Sequence, residues 1–210
     1  MENELTVPYR FSTKSEMLEQ LTAYLNNPDD DTIRLKNKIK QMLLKNPQLL
    51  WALNDSELEK QLFNDDGTLN ETGEWDAYFG ENSLIRPFLF IPETQDIVSN
   101  YLCYQVSTQE NFRYNNSMKY LIVTFTILVQ EKDSVDKFTG IARHDLIASI
   151  IRESLAWSSV GLADAVPIYE DEAITDNNYI TKVIKYQIGL PNNLVVTKNG
   201  TTNFVNKYKE

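Results

Sequence analysis

The sequence has few of the residues from which most catalytic and metal centres are built. Its 210 residues include one cysteine, Cys103, and one histidine, His144. A single cysteine excludes an internal disulfide and a cysteine-based zinc site, and a single histidine excludes a site built on a histidine pair. The seven glycines are scattered, so no glycine-rich phosphate-binding loop is present. We therefore predict no cofactor, no metal and no enzymatic activity.

Long apolar runs and positive charge are also scarce. The longest apolar run, YLIVTFTILV at residues 120–129, is half of the roughly 20 residues that a membrane helix needs. Acidic residues near the N-terminus do not fit a signal peptide. Asp and Glu number 30 against 20 Lys and Arg, which gives a formal net charge of −10. Such a chain disfavours conventional nucleic-acid binding, but it fits an acidic wall past which DNA slides.

The spacing of apolar residues predicts an order of helices followed by strands. Helical periods predict three N-terminal helices, at about residues 14–25, 32–44 and 47–53. A polar, turn-rich linker with aromatic anchors but no core element follows at residues 54–83. Apolar residues then recur with a period of two, which predicts five strands. A helical period between the third and fourth of these strands predicts one further helix. The strands are at about residues 84–91, 101–107, 120–130, 165–174 and 179–188, and the helix is at about residues 141–155.

This order predicts an α+β fold in which an antiparallel β-sheet packs on one main helix, with an α-helical N-terminal extension. We divide the chain into a helical extension and linker at 1–83, an α+β domain at 84–190 and an extended tail at 191–210. One helix covers only one face of the sheet. Because the strand at 120–130 is apolar on both faces, either the N-terminal helices or a neighbouring copy of the chain must cover the second face.

His144 and Asp145 are the first candidates for chemistry. Adjacent side chains on a helix point about 100° apart and do not face each other. We interpret His144 as an exposed residue in the first turns of its helix, and the alternative is a triad with Asp145 and a serine or Cys103. Cys103 itself lies in an apolar strand and is predicted to be a small buried hydrophobic residue.

Four carboxylates form an acidic group on the second hairpin: Glu170, Asp171, Glu172 and Asp176. Such a group can bind a divalent cation, but we favour a solvated hairpin rim. Residues 34–45, which are rich in lysine, are interpreted in the same way, as a helix face that meets solvent or a partner.

The C-terminal half resembles a known family. A long hairpin precedes the helix IARHDLIASIIRESL, and the second hairpin, YEDEAITDNNYITKVIKYQI, follows it. This order resembles the tail-terminator and neck (head-tail joining) proteins of tailed bacteriophages. In that family the helix opens near an Asp, and the last strand of an acidic hairpin starts near Asp-x-x-Tyr, which is Asp176 and Tyr179 here. The resemblance covers residues 84–190, and the N-terminal helices depart from the short form of the family.

The resemblance implies a structural virion protein that forms a ring, with a hexamer favoured. The ring would join head and tail, contact portal-side connector and tail-tube proteins, and let DNA pass without specific binding. Assembly would take place in the host cytoplasm and would involve no membrane. One face of the strand at 120–130 is then a candidate subunit interface, made of Leu121, Val123, Phe125, Ile127 and Val129. The acidic group becomes a candidate lumen or rim, and residues 108–118 and the tail become candidate contacts to adjacent rings.

Two other classes of function stay open. One is a protein-binding adaptor module, which would form a one-to-one complex with a host protein. The other is an enzyme of unrecognised chemistry, which would show a deep pocket with convergent carboxylates.

Overall fold

The computed structural model describes residues 13–23, 31–73, 75–80, 83–90, 92, 99–109, 118–156, 165–175, 177–191, 194–197 and 200–203. Its α-helices are α1 (Lys14–Ala23), α2 (Asp31–Leu44), α3 (Pro47–Ala52) and α4 (Arg143–Ala156). Its strands are β1 (Ile85–Arg86), β2 (Tyr101–Thr108), β3 (Met118–Gln130), β4 (Val166–Ile174), β5 (Tyr179–Pro191), β6 (Leu194–Thr197) and β7 (Gly200–Asn203). Short 3-10 helices lie at Glu59–Gln61, Trp75–Tyr78 and Glu131–Asp133.

Local sequence signals set the starts of the helices. Thr13 and Glu16 form the predicted capping box of α1, because the backbone N–H of each donates to the side chain of the other at 3.2 Å. At the start of α3 the Asn46 side chain accepts from the Leu49 N–H at 3.0 Å. Pro47 follows at a position where a missing N–H removes no helical hydrogen bond. The predicted end of the first helix, at residues 24–25, lies outside the described residues.

A five-stranded sheet with the order β1-β2-β3-β5-β4 confirms the α+β fold. The pairs β2–β3, β3–β5 and β5–β4 are antiparallel, as predicted, but β1 runs parallel to β2, so the sheet is mixed. The strand predicted at 84–91 is also shorter than expected and covers only Ile85–Arg86. Pro87 has no N–H with which to continue the hydrogen-bond ladder, and this accounts for the early end.

The helices α2 and α4 pack on the same face of the sheet. The Tyr104 hydroxyl on β2 donates to the Lys36 carbonyl of α2 at 3.2 Å. Tyr104 is opposite Phe125 on β3, which is opposite Ile184 on β5, so these three side chains lie on one face of the sheet. Lys182, which lies on the same face of β5 as Ile184, contacts Asp145 of α4 at 2.6 Å. The helix α2 therefore shares a face with α4 and does not supply the cover for the second face.

Residues after β1 cover part of that second face. The Phe90 ring lies edge-on to the Tyr101 ring, with 4.8 Å between centroids, and the Arg86 guanidinium stacks 3.6 Å from the centre of the Phe90 ring. Farther along the same face, Ile122 and Thr124 on β3 are only half-buried. No described residue is shown to cover this part of the second face.

One hydrophobic core includes residues from both sides of the boundary predicted at residue 83. Leu49 of α3, and Leu62 and Tyr78 of the predicted linker, are fully buried in the same cluster as the central sheet residues. The prediction that residues 54–83 contribute no core element is wrong for Leu62 and Tyr78. The segment as a whole is polar and turn-rich, so its composition does not show that these two side chains are buried.

The C-terminal tail is not a single extended segment. β6 and β7 pair antiparallel, with Leu194 opposite Asn203 and Thr197 opposite Gly200. This hairpin corrects the prediction of an extended tail for the part of 191–210 that the structure describes. Most of the loop predicted at 108–118 lies outside the described residues.

Candidate functional site

The predicted interface row of β3 lies inside the folded chain. Its side chains are at most 2% exposed: Leu121, Val123, Phe125, Ile127 and Val129. Phe125 aligns with Tyr104, whose hydroxyl contacts α2, so the row faces the helices. Because the chain's own helices cover this row, the prediction that a neighbouring subunit covers it is wrong.

The acidic group is divided between the two faces of β4. Glu170 and Glu172 align with Ile184 and Lys182 of β5 and therefore face α4. Asp171 lies on the opposite face, where the Tyr169 hydroxyl donates to its carboxylate at 2.9 Å. Asp176 lies outside the described residues, so its predicted place in the group has no structural description.

The carboxylates that face α4 are paired with cations. The Lys182 ammonium lies 2.6 Å from Asp145 Oδ1 and 2.9 Å from Glu170 Oε1, and Arg152 Nη2 lies 3.1 Å from Glu170 Oε2. The hydrogen bonds from Lys182 hold the pKa of both Asp145 and Glu170 below the ordinary values for these carboxyls. Both groups are therefore anionic at neutral pH, and much of the negative charge of Glu170 is neutralised within the chain.

His144 is buried against β4, which corrects the prediction of an exposed residue. Its Nε2 lies 3.2 Å from Glu172 Oε2 and 3.7 Å from Asp145 Oδ2. Adjacent side chains meet here because the first turn of α4 lies over β4 and β5, so both His144 and Asp145 reach toward the sheet. We call His144, Asp145 and Glu172 the His144 cluster. Among the described residues it is a group of potential metal ligands whose donor atoms lie within 4.8 Å of one another.

Cys103 does not join His144 in a triad. The cysteine is 1% exposed, and in the β2–β3 register it is opposite Thr126, on the face away from α4. Burial raises the pKa of the Cys103 thiol to about 11. The thiol is thus protonated at neutral pH, and the prediction of a small buried hydrophobic residue is confirmed.

Sequence reasoning missed a buried polar network around Arg143, the first residue of α4. Arg143 is 2% exposed. Its guanidinium donates at 3.0 Å to the carbonyl of Ala52 and to both the carbonyl and the carboxylate of Asp133, and it lies 3.5 Å from the carboxylate of Asp136. The contact with Ala52 joins the end of α3 to the start of α4. A charged residue in the first turn of a helix gives no signal of this burial in the sequence.

Two asparagines complete the network at Asp133. Asn54 Nδ2 and Asn100 Nδ2 donate to Asp133 Oδ2 at 2.8 and 2.7 Å, and Asn100 also donates to the Leu53 carbonyl at 3.1 Å. Asn100 in turn accepts from the Gln130 N–H at 3.1 Å. The network therefore connects α3, the residues before β2, the end of β3 and the start of α4.

The network supports a tightly bonded loop that displays an apolar side chain. Residues 134–142 connect the end of β3 to α4, and Val135 pairs with Ala142 at the base of this loop. The Asp136 carboxylate accepts from the Thr139 N–H and hydroxyl at 2.8 and 2.7 Å, and the Gly140 N–H donates to the Asp136 carbonyl at 2.8 Å. Gly140 has a φ of 72°, in the left-handed region that suits glycine.

We call the displayed apolar side chains the loop tip: Val135, Phe138 and Ile141. They are 52%, 93% and 47% exposed. Ile174, the last residue of β4, is 80% exposed. Together the three side chains of the loop tip offer an apolar contact surface on a loop that hydrogen bonds already hold in place.

The lysine-rich face of α2 contacts the chain itself more than was predicted. Lys36 Nζ donates to the Pro87 carbonyl at 2.9 Å, and Lys40 Nζ lies 3.0 Å from Asp76 Oδ1 and 4.4 Å from the centre of the Phe79 ring. These lysines bind α2 to the residues around β1. Lys38 is exposed, as the prediction of a solvated face requires.

A comparison with protein families identifies the group to which the chain belongs. The model of the YomW family matches residues 19–188, which extend from within α1 to near the end of β5. The chain belongs to the YomW family. This family is phage-derived, so the broader part of the resemblance, a phage-associated protein, is confirmed. No curated protein matches the chain.

The YomW match spans the structural features described above. The Arg143 network, the loop tip and the His144 cluster all lie within it, whereas β6 and β7 lie beyond it. The match also includes α2 and α3, which the resemblance to neck proteins did not cover. In the described part of this YomW chain, no helix is both long enough and apolar enough to cross a membrane.

We expect the loop beneath the tip to make stability depend on pH. Hydrogen bonds from Thr139 hold the pKa of Asp136 below its ordinary value of 3.8. A carboxyl whose pKa is lower in the folded state than in the unfolded state stabilises the fold at pH values above its unfolded-state pKa. This stabilisation is lost as the pH falls through the folded-state pKa. Asp136→Asn should therefore lower the free energy of unfolding at pH 7 by about 1.5 kcal/mol. The difference in unfolding free energy between wild type and Asp136→Asn should shrink at pH values below 3.8, the ordinary pKa of this carboxyl.

Urea unfolding between pH 2.5 and pH 7 would measure this difference. Thr139→Val is the matched control, because it keeps the carboxylate but removes the hydroxyl donor, and it should reduce the pH dependence without abolishing it. An unfolding free-energy difference between wild type and Asp136→Asn that stays constant across the whole range would contradict the expectation.

Proposed function

We propose that this YomW-family chain is a structural virion protein of a tailed phage that forms a ring in the neck. As a tail terminator or another head-tail connector component, it would join head to tail and let DNA pass. The ring would assemble in the host cytoplasm, with a hexamer favoured. Its axial partners would be the portal-side connector and the tail-tube proteins. The phage-derived family supports the broader part of this proposal.

The observation that carries the ring proposal is the exposure of the loop tip. Phe138 is 93% exposed, although the loop below it is held by hydrogen bonds and by the buried Arg143 network. Full burial of such a side chain contributes about 1.5–3 kcal/mol. A neighbouring subunit that covers the loop tip would gain this free energy without first having to order a flexible segment.

The exposed apolar residues of β4 offer a second surface for the same contact. Val166, Ile168 and Tyr169 are each about half exposed, and Ile174 is more exposed still. Among the described strands β4 pairs only with β5, so its other edge is open. A ring requires two different patches on each subunit, since a head-to-tail contact that closes by rotation joins unlike surfaces. The loop tip and β4 are two such patches.

The net charge of −10 supports the DNA-passage part of the proposal, because a negative lumen would repel the phosphate backbone and prevent adhesion. Within the candidate acidic rim the contributions differ. Lys182 and Arg152 neutralise much of the charge of Glu170, whereas the side-chain hydrogen bond that Asp171 accepts comes from a neutral group, the Tyr169 hydroxyl. Asp171 is therefore the described rim residue that we expect to face a lumen.

The mass of the purified chain by light scattering, followed by negative-stain imaging of the same sample, tests the ring. Closed rings with a central hole would support the proposal. A monomer at micromolar concentration that also fails to form rings with its axial partners would overturn it. A one-to-one complex with a host protein would favour the adaptor alternative, for which the exposed loop tip is equally suited.

Phe138→Ser should weaken assembly without unfolding the subunit. Loss of about 1.5–3 kcal/mol at each contact corresponds to a roughly 10- to 100-fold weaker subunit affinity. Sedimentation velocity over a dilution series would measure it. Leu18→Ser is a suitable control, because Leu18 on α1 is an exposed apolar residue outside the loop tip. Equal effects of the two substitutions on assembly would remove the loop tip from the interface.

A further inference from the structure

The His144 cluster places an imidazole and two carboxylates around one point between α4 and β4. His144 Nε2 lies 3.2 Å from Glu172 Oε2 and 3.7 Å from Asp145 Oδ2. His144 and Asp145 belong to the first turn of α4, and Glu172 belongs to the exposed strand β4. Three donor atoms from two elements therefore converge, with the carboxylates half exposed and open to solvent.

Burial fixes the His144 imidazole so that it faces this point. The His144 side chain is 7% exposed, and its Nδ1 is buried without a hydrogen-bond partner among the described residues. Nε2 is directed at the two carboxylates instead. Because a nitrogen lone pair and carboxylate oxygens repel one another at these distances, either a hydrogen on Nε2 that is donated to the carboxylates or a metal ion must lie between them.

We propose that His144 Nε2, Asp145 and Glu172 bind one divalent transition-metal ion. Imidazole nitrogen with carboxylate oxygen is a donor set that suits zinc and its neighbours in the first transition row, whereas Mg²⁺ and Ca²⁺ prefer oxygen alone. With three protein ligands, the remaining coordination positions would be filled by water from the open side. The site goes beyond the ring proposal and does not depend on it.

The three ligands together match the charge of a divalent ion. A neutral His144 with the carboxylates of Asp145 and Glu172 carries two negative charges, which a divalent ion neutralises. Lys182 contacts the other oxygen of Asp145, at 2.6 Å, and Glu170 at 2.9 Å. Lys182 therefore orients Asp145 as a supporting residue next to the ligands.

A bound ion would connect the start of α4 to the edge strand β4. Among the described strands β4 has only β5 as a hydrogen-bonded neighbour. The metal would thus stabilise the exposed strand that carries the acidic group. It should raise the unfolding midpoint of the chain, because an ion that binds only the folded state stabilises that state by mass action.

The test is a titration of the full chain, treated with chelator and then dialysed, with Zn²⁺ and separately with Mn²⁺. Isothermal calorimetry should give one ion per chain for at least one of the two metals. His144→Gln and Glu172→Gln should each weaken binding by about 100-fold, since even residues next to metal ligands change affinity 10- to 100-fold. Asp171→Asn is the matched control, because it removes the same charge from the opposite face of β4 and should leave the affinity unchanged.

The sole histidine gives a second readout that does not depend on the folding of any variant. In a chain with one histidine, the imidazole nitrogen resonances of the wild-type protein report His144 alone. Zn²⁺ should shift the Nε2 resonance and leave Nδ1 protonated. Absence of saturable binding, binding that His144→Gln leaves intact, or a titration with no change at Nε2 would each overturn the site.

Discussion

Arg143→Met is expected to lower the free energy of unfolding by about 3–5 kcal/mol. The change removes the guanidinium that contacts Asp133 at 3.0 Å and Asp136 at 3.5 Å. It leaves the carboxylate of Asp133 in a site that is 6% exposed. An unpaired buried charge accounts for most of the loss, since the methionine fills much of the same volume. Urea unfolding at pH 7 measures it.

Arg152→Met provides the matched control on the same helix. Arg152 also pairs with a carboxylate, at 3.1 Å, but its side chain is 49% exposed. Water screens such a pair, so its loss should cost at most about 1 kcal/mol. The argument for the network fails if the two substitutions have equal cost. It also fails if the unfolding midpoint of Arg143→Met lies at the same urea concentration as that of wild type.

The network also explains why the loop tip can be displayed so far into solvent. Arg143 contacts both Asp133 and Asp136, and Asp136 holds Thr139 at the far side of the loop. The position of Phe138 is therefore set by contacts with the interior. This is the arrangement expected of an interface residue that must be ordered before its partner arrives.

Much of the fold was predictable because its signals are local. The Thr13–Glu16 capping box and the Asn46–Pro47 start of α3 lie within a few residues of the helices that they begin. The spacing of apolar residues also identified the two hairpins, β2–β3 and β4–β5, whose antiparallel pairing the structure confirms. Such signals depend on the backbone period and on caps, which neighbouring residues determine.

The candidate site was less predictable because its contacts are long-range. Arg143 binds the carbonyl of Ala52, and Glu172 meets His144 only after β4 has returned beside α4. An arginine and a histidine at the start of a helix have the same local pattern whether they are exposed or buried. Their burial depends on which elements pack over them, and the chain order alone does not set that packing.

The error about β3 has a similar origin. Both faces of the strand are apolar, so the period shows that each face needs cover but not what supplies it. The structure assigns the face of Phe125 to α2 and α4, and it leaves Ile122 and Thr124 half-buried on the other face. If a neighbouring copy covers any part of the sheet, that second face is the available one.

Phe125→Ala tests this assignment directly, and it is expected to lower the free energy of unfolding by about 3–5 kcal/mol. Phe125 is unexposed, and its ring lies 6.4 Å from that of Tyr104 and 6.3 Å from that of Tyr186. The substitution leaves a cavity between three strands that the surrounding side chains can fill only in part. Urea unfolding of the isolated subunit would show the loss at any protein concentration.

Thr124→Ala, one residue away on the open face, should cost about 1 kcal/mol or less. If the Phe125 row were a subunit interface, Phe125→Ala would instead yield a folded monomer of nearly normal stability, with its defect confined to assembly. A large loss of stability that is independent of protein concentration places the row in the core. The surfaces available for assembly are then the loop tip, β4 and the open face of the sheet.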